Sequence, residues 1–186
     1  MPTTNDVNIN NIELLMPDYK LLKNIRNATK NDPTIVKKTS RNSNVDTEDE
    51  KSGMTPLLYA IFNEHTKIAK RLIDLDADVD RADKRGKTPL MYASDNCNLD
   101  MVELLINKGA NVEAKSGELT AELIANYKLE NAENAKDKDM IDKCGEVLEF
   151  FDIALKKKHG GRRLKRRATK KNRRVSKSKR YTRARQ

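Results

Sequence analysis

Apolar positions in the middle of the chain recur on two scales. Within short stretches they fall three or four residues apart, the spacing of one helix face. Leu57 and Ala60 form one such set, and Leu90 and Ala93 another. Each is followed by a second set, Ile68, Leu72 and Ile73 in one case and Met101, Val102, Leu105 and Ile106 in the other. Between stretches the whole pattern returns. "GMTPLLYA" at 53–60 comes back as "GKTPLMYA" at 86–93, and "IAKRLI" at 68–73 as "MVELLI" at 101–106, both 33 residues on. "DADVDRAD" at 76–83 realigns with "GANVEAKS" at 109–116 at the same offset. Self-similarity at such a period predicts stacked units of one kind, each a helix pair followed by an extended turn.

The ends of these helices are also written in the chain. Thr55 and Thr88 are placed to cap the first turn, and Pro56 and Pro89 occupy the first helical position, where a missing N–H costs nothing. Gly109 suits the left-handed residue that closes a second helix. Asp76 takes that place in the first copy and predicts a looser end. Val79 and Val112 anchor the turn that follows.

The pattern continues outward in weaker form. "TAELIA" at 120–125 aligns with "TPLMYA" at an offset of 32 and begins a third unit. Residues 126–139 read as an insertion of helical propensity, before a closing helix with Met140, Ile141, Val147, Leu148, Phe151, Ile153, Ala154 and Leu155. Upstream, Ile12, Leu14, Leu15, Leu21, Leu22 and Ile25 read as a helix or helix pair, Asp32-Pro33 as the start of another with Ile35 and Val36, and "SNVDTED" at 43–49 as a further turn.

The chain resembles the ankyrin-repeat family at "G-x-T-P-L-x-x-A", at "LLINKGANV" and in its 33-residue period. It departs where that family places histidine after Thr-Pro-Leu, here Leu58 and Met91, and where it places Gly-His before the second helix, here Glu64-His65 and Cys97-Asn98. The resemblance spans about 20–157 and is strongest over 50–116. It implies an all-α solenoid of about two full repeats with degenerate capping units at both ends. The expected divisions are a disordered 1–11, an N-terminal capping unit at 12–47, repeats at 48–80 and 81–113, a C-terminal capping repeat at 114–157, and a disordered basic tail at 158–186. A short divergent array with a basic tail, in a Lys- and Asn-rich chain, is similar in style to ankyrin proteins of large DNA viruses.

The resemblance also implies a function: a protein partner held on the concave face by turn tips and first helices. By register those positions are Met54, Tyr59, Phe62 and Asn63 in one unit and Lys84, Arg85, Lys87, Tyr92, Asp95 and Asn96 in the next. Tyr59 and Tyr92 are equivalent, so they are either a paired aromatic contact for the partner or packing between adjacent repeats.

Charge changes the picture at one end. The 38 Lys and Arg outnumber the 28 Asp and Glu. Yet 17 of the basic residues, and no acid, lie in 156–186, which leaves 1–155 with 21 basic and 28 acidic residues. The body is acidic and the tail strongly basic. His159-Gly160-Gly161 reads as a hinge. Beyond it Arg162, Arg163, Lys165, Arg166, Arg167, Lys170, Lys171, Arg173 and Arg174 suit a nuclear address, phosphate contacts with nucleic acid, or a solvated appendage. Only Tyr181 there could stack on a base. "RRAT" at 166–169 and "RRVS" at 173–176 resemble basophilic kinase substrates at Thr169 and Ser176.

No catalytic constellation emerges, and no enzyme activity or cofactor is expected. His65 falls at a turn position that the family uses structurally. Cys97 and Cys144 are too few for a disulfide framework, and without CxxC or CxxH spacing they do not suggest zinc. Cys97 reads as a small residue at a tight turn. "DKDMID" at 137–142 lacks the glycine and terminal glutamate of a calcium loop, and the "KSG" triplets at 51–53 and 115–117 are turns without the rest of a P-loop. The first residues lack a secretory pattern, and no apolar run is long enough to span a membrane. The expectation is a monomer without membrane contact, inside the cell in cytoplasm or nucleus, and from its viral style inside an infected host cell. Its partners would be an unidentified protein for the stack, and an import receptor or nucleic acid for the tail.

Overall fold

The computed structural model describes residues 17–39 and 44–158, and those residues form eight helices and no strand. In chain order they are α1 (Pro17–Arg26), α2 (Thr34–Thr39), α3 (Pro56–Phe62), α4 (Thr66–Ile73), α5 (Pro89–Asp95), α6 (Leu99–Asn107), α7 (Ala121–Ala135) and α8 (Lys138–Lys158). The chain divides into two compact units, 1–152 and 153–186. Only 153–158 of the second is described, as the last residues of α8. Sequence expectations for 1–16 and for the basic tail lie outside the described residues.

The odd-numbered helices stack as one row, α1 on α3, α3 on α5 and α5 on α7, and the first three are paired with α2, α4 and α6 behind them. Thr55, Thr88 and Thr120 start the last three of this inner row. Each hydroxyl accepts from an amide three residues on, of Leu58, Met91 and Leu123, at 3.3, 3.4 and 3.3 Å. Leu57, Leu58, Ala60, Leu90, Met91, Ala93 and Ala125 are buried, with Leu21, Leu22 and Ile25 of α1. Alanine at the recurring position lets neighbouring helices approach closely.

The turn from inner to outer helix uses one device three times. Glu64, Cys97 and Lys136 are left-handed, with φ of 57°, 47° and 59°. The next amide then returns to an alanine carbonyl of the inner helix. His65 N donates to Ala60 O at 2.7 Å, Asn98 N to Ala93 O at 3.0 Å, and Asp137 N to Ala132 O at 3.0 Å. The first two residues stand where the family uses glycine. L-residues in this conformation cost about 1–2 kcal/mol.

This device also accounts for the extra residues after 125. Ala132 takes the role of Ala60 and Ala93 seven positions later than register predicts. Seven residues make about two helical turns, so the same face returns. The insertion therefore lengthens α7 without rotating the helix that follows.

Outer helices are capped differently in each unit. Asn98 and Asp137 accept from Met101 N and Met140 N, each at 3.1 Å. His65 makes no such cap. Instead Asn31, from the preceding unit, accepts from Lys67 N and Ile68 N at 2.8 and 3.2 Å, and His65 Nε2 bonds Ala28 O at 2.9 Å. The outer helices end at left-handed Asp76 and Gly109, with φ of 60° and 94°, as the sequence suggested for that position.

The turns are joined by side-chain carboxylates and amides. Asn44 accepts from Asp46 N at 3.0 Å, and Asp46 accepts from Asp78 N at 2.9 Å. Asp78 accepts from Asp80 N at 2.9 Å, and Asp80 from Asn111 N at 2.8 Å. One seam thus crosses three units. The turns also touch directly, with Lys84 N donating to Ser52 O at 3.0 Å. A Cβ on Gly53, whose φ is 70°, would lie 2.9 Å from Lys84 N, so glycine is required there.

One expectation fails. Cys97 and Cys144 are bonded, with Cα atoms 4.8 Å apart, and both are buried. Two cysteines too few for a framework still make one cross-link, and Cys97 is more than a small turn residue. The two lie 47 residues apart in different repeat units, so their proximity appears only once the stack is assembled.

Candidate partner-binding surface

Each of the two central turns is built around a buried aspartate. Asp49 Oδ1 accepts from Lys51 N and Ser52 N at 2.8 and 3.2 Å, and its Oδ2 accepts from Tyr59 Oη at 3.0 Å and Arg26 Nη1 at 3.1 Å. Asp83 repeats the arrangement. Its Oδ1 accepts from Arg85 N and Lys87 N at 2.9 and 2.8 Å, and its Oδ2 from Tyr92 Oη at 2.7 Å and Arg85 Nε at 3.3 Å. Arg85 Nη2 also donates to Tyr92 Oη at 2.7 Å.

Burial works against both carboxylates. The hydrogen bonds outweigh it and hold Asp49 down at about 2 and Asp83 below its ordinary range. Burial raises the Tyr92 hydroxyl, and the bond to Asp83 raises it further, to about 12. The Tyr92 hydroxyl and Asp83 raise Arg85. A charged, fully hydrogen-bonded hub therefore fixes each turn tip to its inner helix.

The third unit has neither part. Ile124 stands where register places the tyrosine, and Lys115-Ser116 where it places the aspartate. Its turn is closed by Ser116 and Leu119 exchanging N–H···O bonds of 2.9 and 3.1 Å.

The residues singled out by register do not share one environment. Tyr92 is 3 % exposed and Met54 is buried, whereas Tyr59 is half-buried with its hydroxyl engaged. Lys84 and Arg85 are exposed, and Asn63, Lys87, Asp95 and Asn96 are half-buried. Phe62 is 56 % exposed, and its ring meets Tyr92 edge-on at 6.0 Å. Lys87 Nζ lies 5.5 Å from the Tyr92 ring centre. Asn96 Nδ2 donates to Ile61 O at 2.9 Å, and so is spent on the preceding unit. Asp95 pairs with Lys128 of the next unit at 3.7 Å.

These contacts give each inner-helix position a direction. Phe62 and Asp95, seven residues after the cap, reach the following unit. Leu58 and Met91, three after the cap, are 0 % and 1 % exposed. In α7 the equivalents are Tyr127, 63 % exposed, and Leu123, 45 % exposed. Leu119, just before the cap, is exposed as well. Sequence reasoning missed these three. The signal was available in the offset of 32 from Lys87, Met91 and Asp95, or about two periods from Met54, Leu58 and Phe62.

Among the described residues no three His, Cys, Asp or Glu groups are placed to hold a metal ion, and no helix is long and apolar enough to cross a membrane. A family model described as ankyrin repeats, in three copies, matches residues 25–116. The match begins in α1 and ends at Ser116, so it takes in α2 together with the two repeats that are clearest in the sequence. A search of curated proteins finds no match. Ankyrin repeats generally mediate protein–protein interaction, and the period, the capped helix pairs and the stacking all agree with that architecture. The chain belongs to the ankyrin-repeat family.

Proposed function

We propose that the face formed by the inner helices and their turns binds a protein partner, without chemistry of its own. One observation carries this. Among the described residues five large apolar side chains are exposed, and four of them, Phe62, Leu119, Leu123 and Tyr127, belong to inner helices or the turns before them. The fifth, Ile153, lies in the second unit. Exposed apolar groups concentrated in one row of helices and turns suit an interaction surface.

In this reading Phe62 and Tyr127 are the aromatic anchors. Met54, Tyr59, Asn63, Tyr92, Asp95 and Asn96 shape the floor between them, and Lys84, Arg85 and Lys87 supply a cationic rim at the second turn. Rigid aromatics surrounded by polar groups are the usual composition of binding hot spots. The test compares proteins retained by the full chain with those retained by the Phe62→Ser/Tyr127→Ser variant. Loss of a partner with an unchanged urea midpoint supports the reading. Identical sets on both would sink it.

The charge split favours a second, separate role for the tail. Its basic residues suit a nuclear address or contact with nucleic-acid phosphates. Contact with about six to ten phosphates would lower affinity for any DNA about 10³–10⁵-fold between about 50 and 200 mM salt. No retention of the full chain on DNA at low salt would remove the phosphate reading, and comparison with 1–158 assigns what remains to stack or tail.

A further inference from the structure

We propose that the Cys97–Cys144 bond is a redox latch on the third unit and thereby regulates the binding face that this unit carries. The second half rests on the partner-binding reading above; the first half does not.

The bond joins the left-handed residue between α5 and α6 to α8. It closes a loop that contains Leu119, Leu123 and Tyr127. What else holds this region is limited. In α8 no residue before Cys144 is buried; Val147, Leu148 and Phe151 follow only after it. In α7 Ala132 is the one buried side chain beyond Ala125. Besides the covalent bond, the lengthened end of α7 and the start of α8 are held by buried Ala132, half-buried Leu129 and the Lys128–Asp95 pair at 3.7 Å. Few buried contacts mark a segment that opens at low free energy.

The bond has a route to solvent. A cleft of about 310 Å³ beside the α5–α6 turn is lined by Cys97, with Glu64, Asp100, Lys143 and Glu146 around it. Cys97 lines the cleft and Cys144 does not, so a thiolate entering there approaches the bond from the Cys97 side. Three carboxylates against one lysine disfavour an anionic thiol and admit a neutral dithiol. Its thiolate attacks Cys97 Sγ, the S–S bond breaks, and Cys144 leaves as a thiolate that takes up a proton. The second thiol then attacks the mixed disulfide and releases Cys97, while the reductant departs as its cyclic disulfide. Two electrons and two protons pass to the protein.

The test is hydrogen exchange of the full chain, oxidised and after treatment with dithiothreitol, beside a Cys144→Ala variant. Amides of 126–146 should exchange at least about tenfold faster once the loop is no longer closed. Those of 57–95 should stay unchanged. Dithiothreitol should also reduce the bond faster than glutathione at equal thiolate concentration. Unaltered exchange in 126–146, or equal acceleration throughout the stack, would overturn the latch. A local change with undiminished partner capture would overturn only its link to binding.

Discussion

The Tyr92 hydroxyl donates to Asp83 Oδ2 at 2.7 Å, and the same pair recurs one unit earlier as Tyr59 and Asp49 at 3.0 Å. Asp83's side chain is 1 % exposed and Asp49's 10 %, so the second pair is the drier one. Tyr92→Phe keeps the ring and leaves a buried carboxylate one donor short. It is expected to lower stability by about 1–2 kcal/mol in urea unfolding, and Tyr59→Phe by less than about 1 kcal/mol. An unchanged midpoint in Tyr92→Phe would show that the Arg85 side chain suffices for Asp83 Oδ2.

Acid should act on both hubs, through Asp49 and Asp83, and alkali on the second through Tyr92. Asp49 ionises at about 2 in the folded chain, against 3.8 for an ordinary aspartate. Its folded value is the lower one. The stability it contributes, about 2 kcal/mol, is present above pH ~4 and lost as pH falls toward ~2. Tyr92 ionises at about 12, against 10.0, so its contribution is complete below pH 10 and is lost as pH rises to 12. Unfolding midpoints followed against pH check both arms. Arg26→Ala should shrink the acid arm, and Tyr92→Phe should remove the alkaline one.

Asn31 caps a helix that begins 35 residues later in the chain. Asn31→Ala should cost about 1 kcal/mol, the usual value of a lost cap. It should also speed amide exchange in the first turn of α4, at Lys67 and Ile68, more than in α2. Equal effects on the two helices would contradict capping across the repeat boundary.

Glu64 and Asp76 hold left-handed backbone without being glycine. Glu64→Gly and Asp76→Gly should each stabilise by about 0.5–1 kcal/mol, since relief of the left-handed strain exceeds the entropy cost of glycine. Thermal unfolding measures the gain. A loss in Asp76→Gly would mean that its side chain contributes more than its backbone costs.

The repeat signature made the architecture legible, because it encodes local physics. Thr55 and Thr88 cap, Pro56 and Pro89 start helices, and Ala60 and Ala93 allow close stacking; each effect acts within a turn or two of its residue. Three features were not legible, and each is nonlocal. The Cys97–Cys144 bond depends on how far α8 is carried by a two-turn extension of α7. Asn31 acts on another unit. Leu123 is exposed because no described helix follows α7 in the inner row, whereas Met91 in the same register is covered. The tyrosines show a further limit. Their equivalence is visible in the sequence, but the aspartate that engages each hydroxyl sits at a different spacing, ten residues away for Tyr59 and nine for Tyr92.

The seam from Asn44 through Asp46, Asp78 and Asp80 to Asn111 uses main-chain amides as its donors, and every residue but proline provides one. Each joint is therefore indifferent to the identity of its neighbour. A unit could be duplicated or excised between Asp46 and Asn111 and the cut ends would still find matching chemistry. In that sense the turn row works as a standard coupling, and the number of repeats can drift while the specific chemistry stays with the side chains of the inner face.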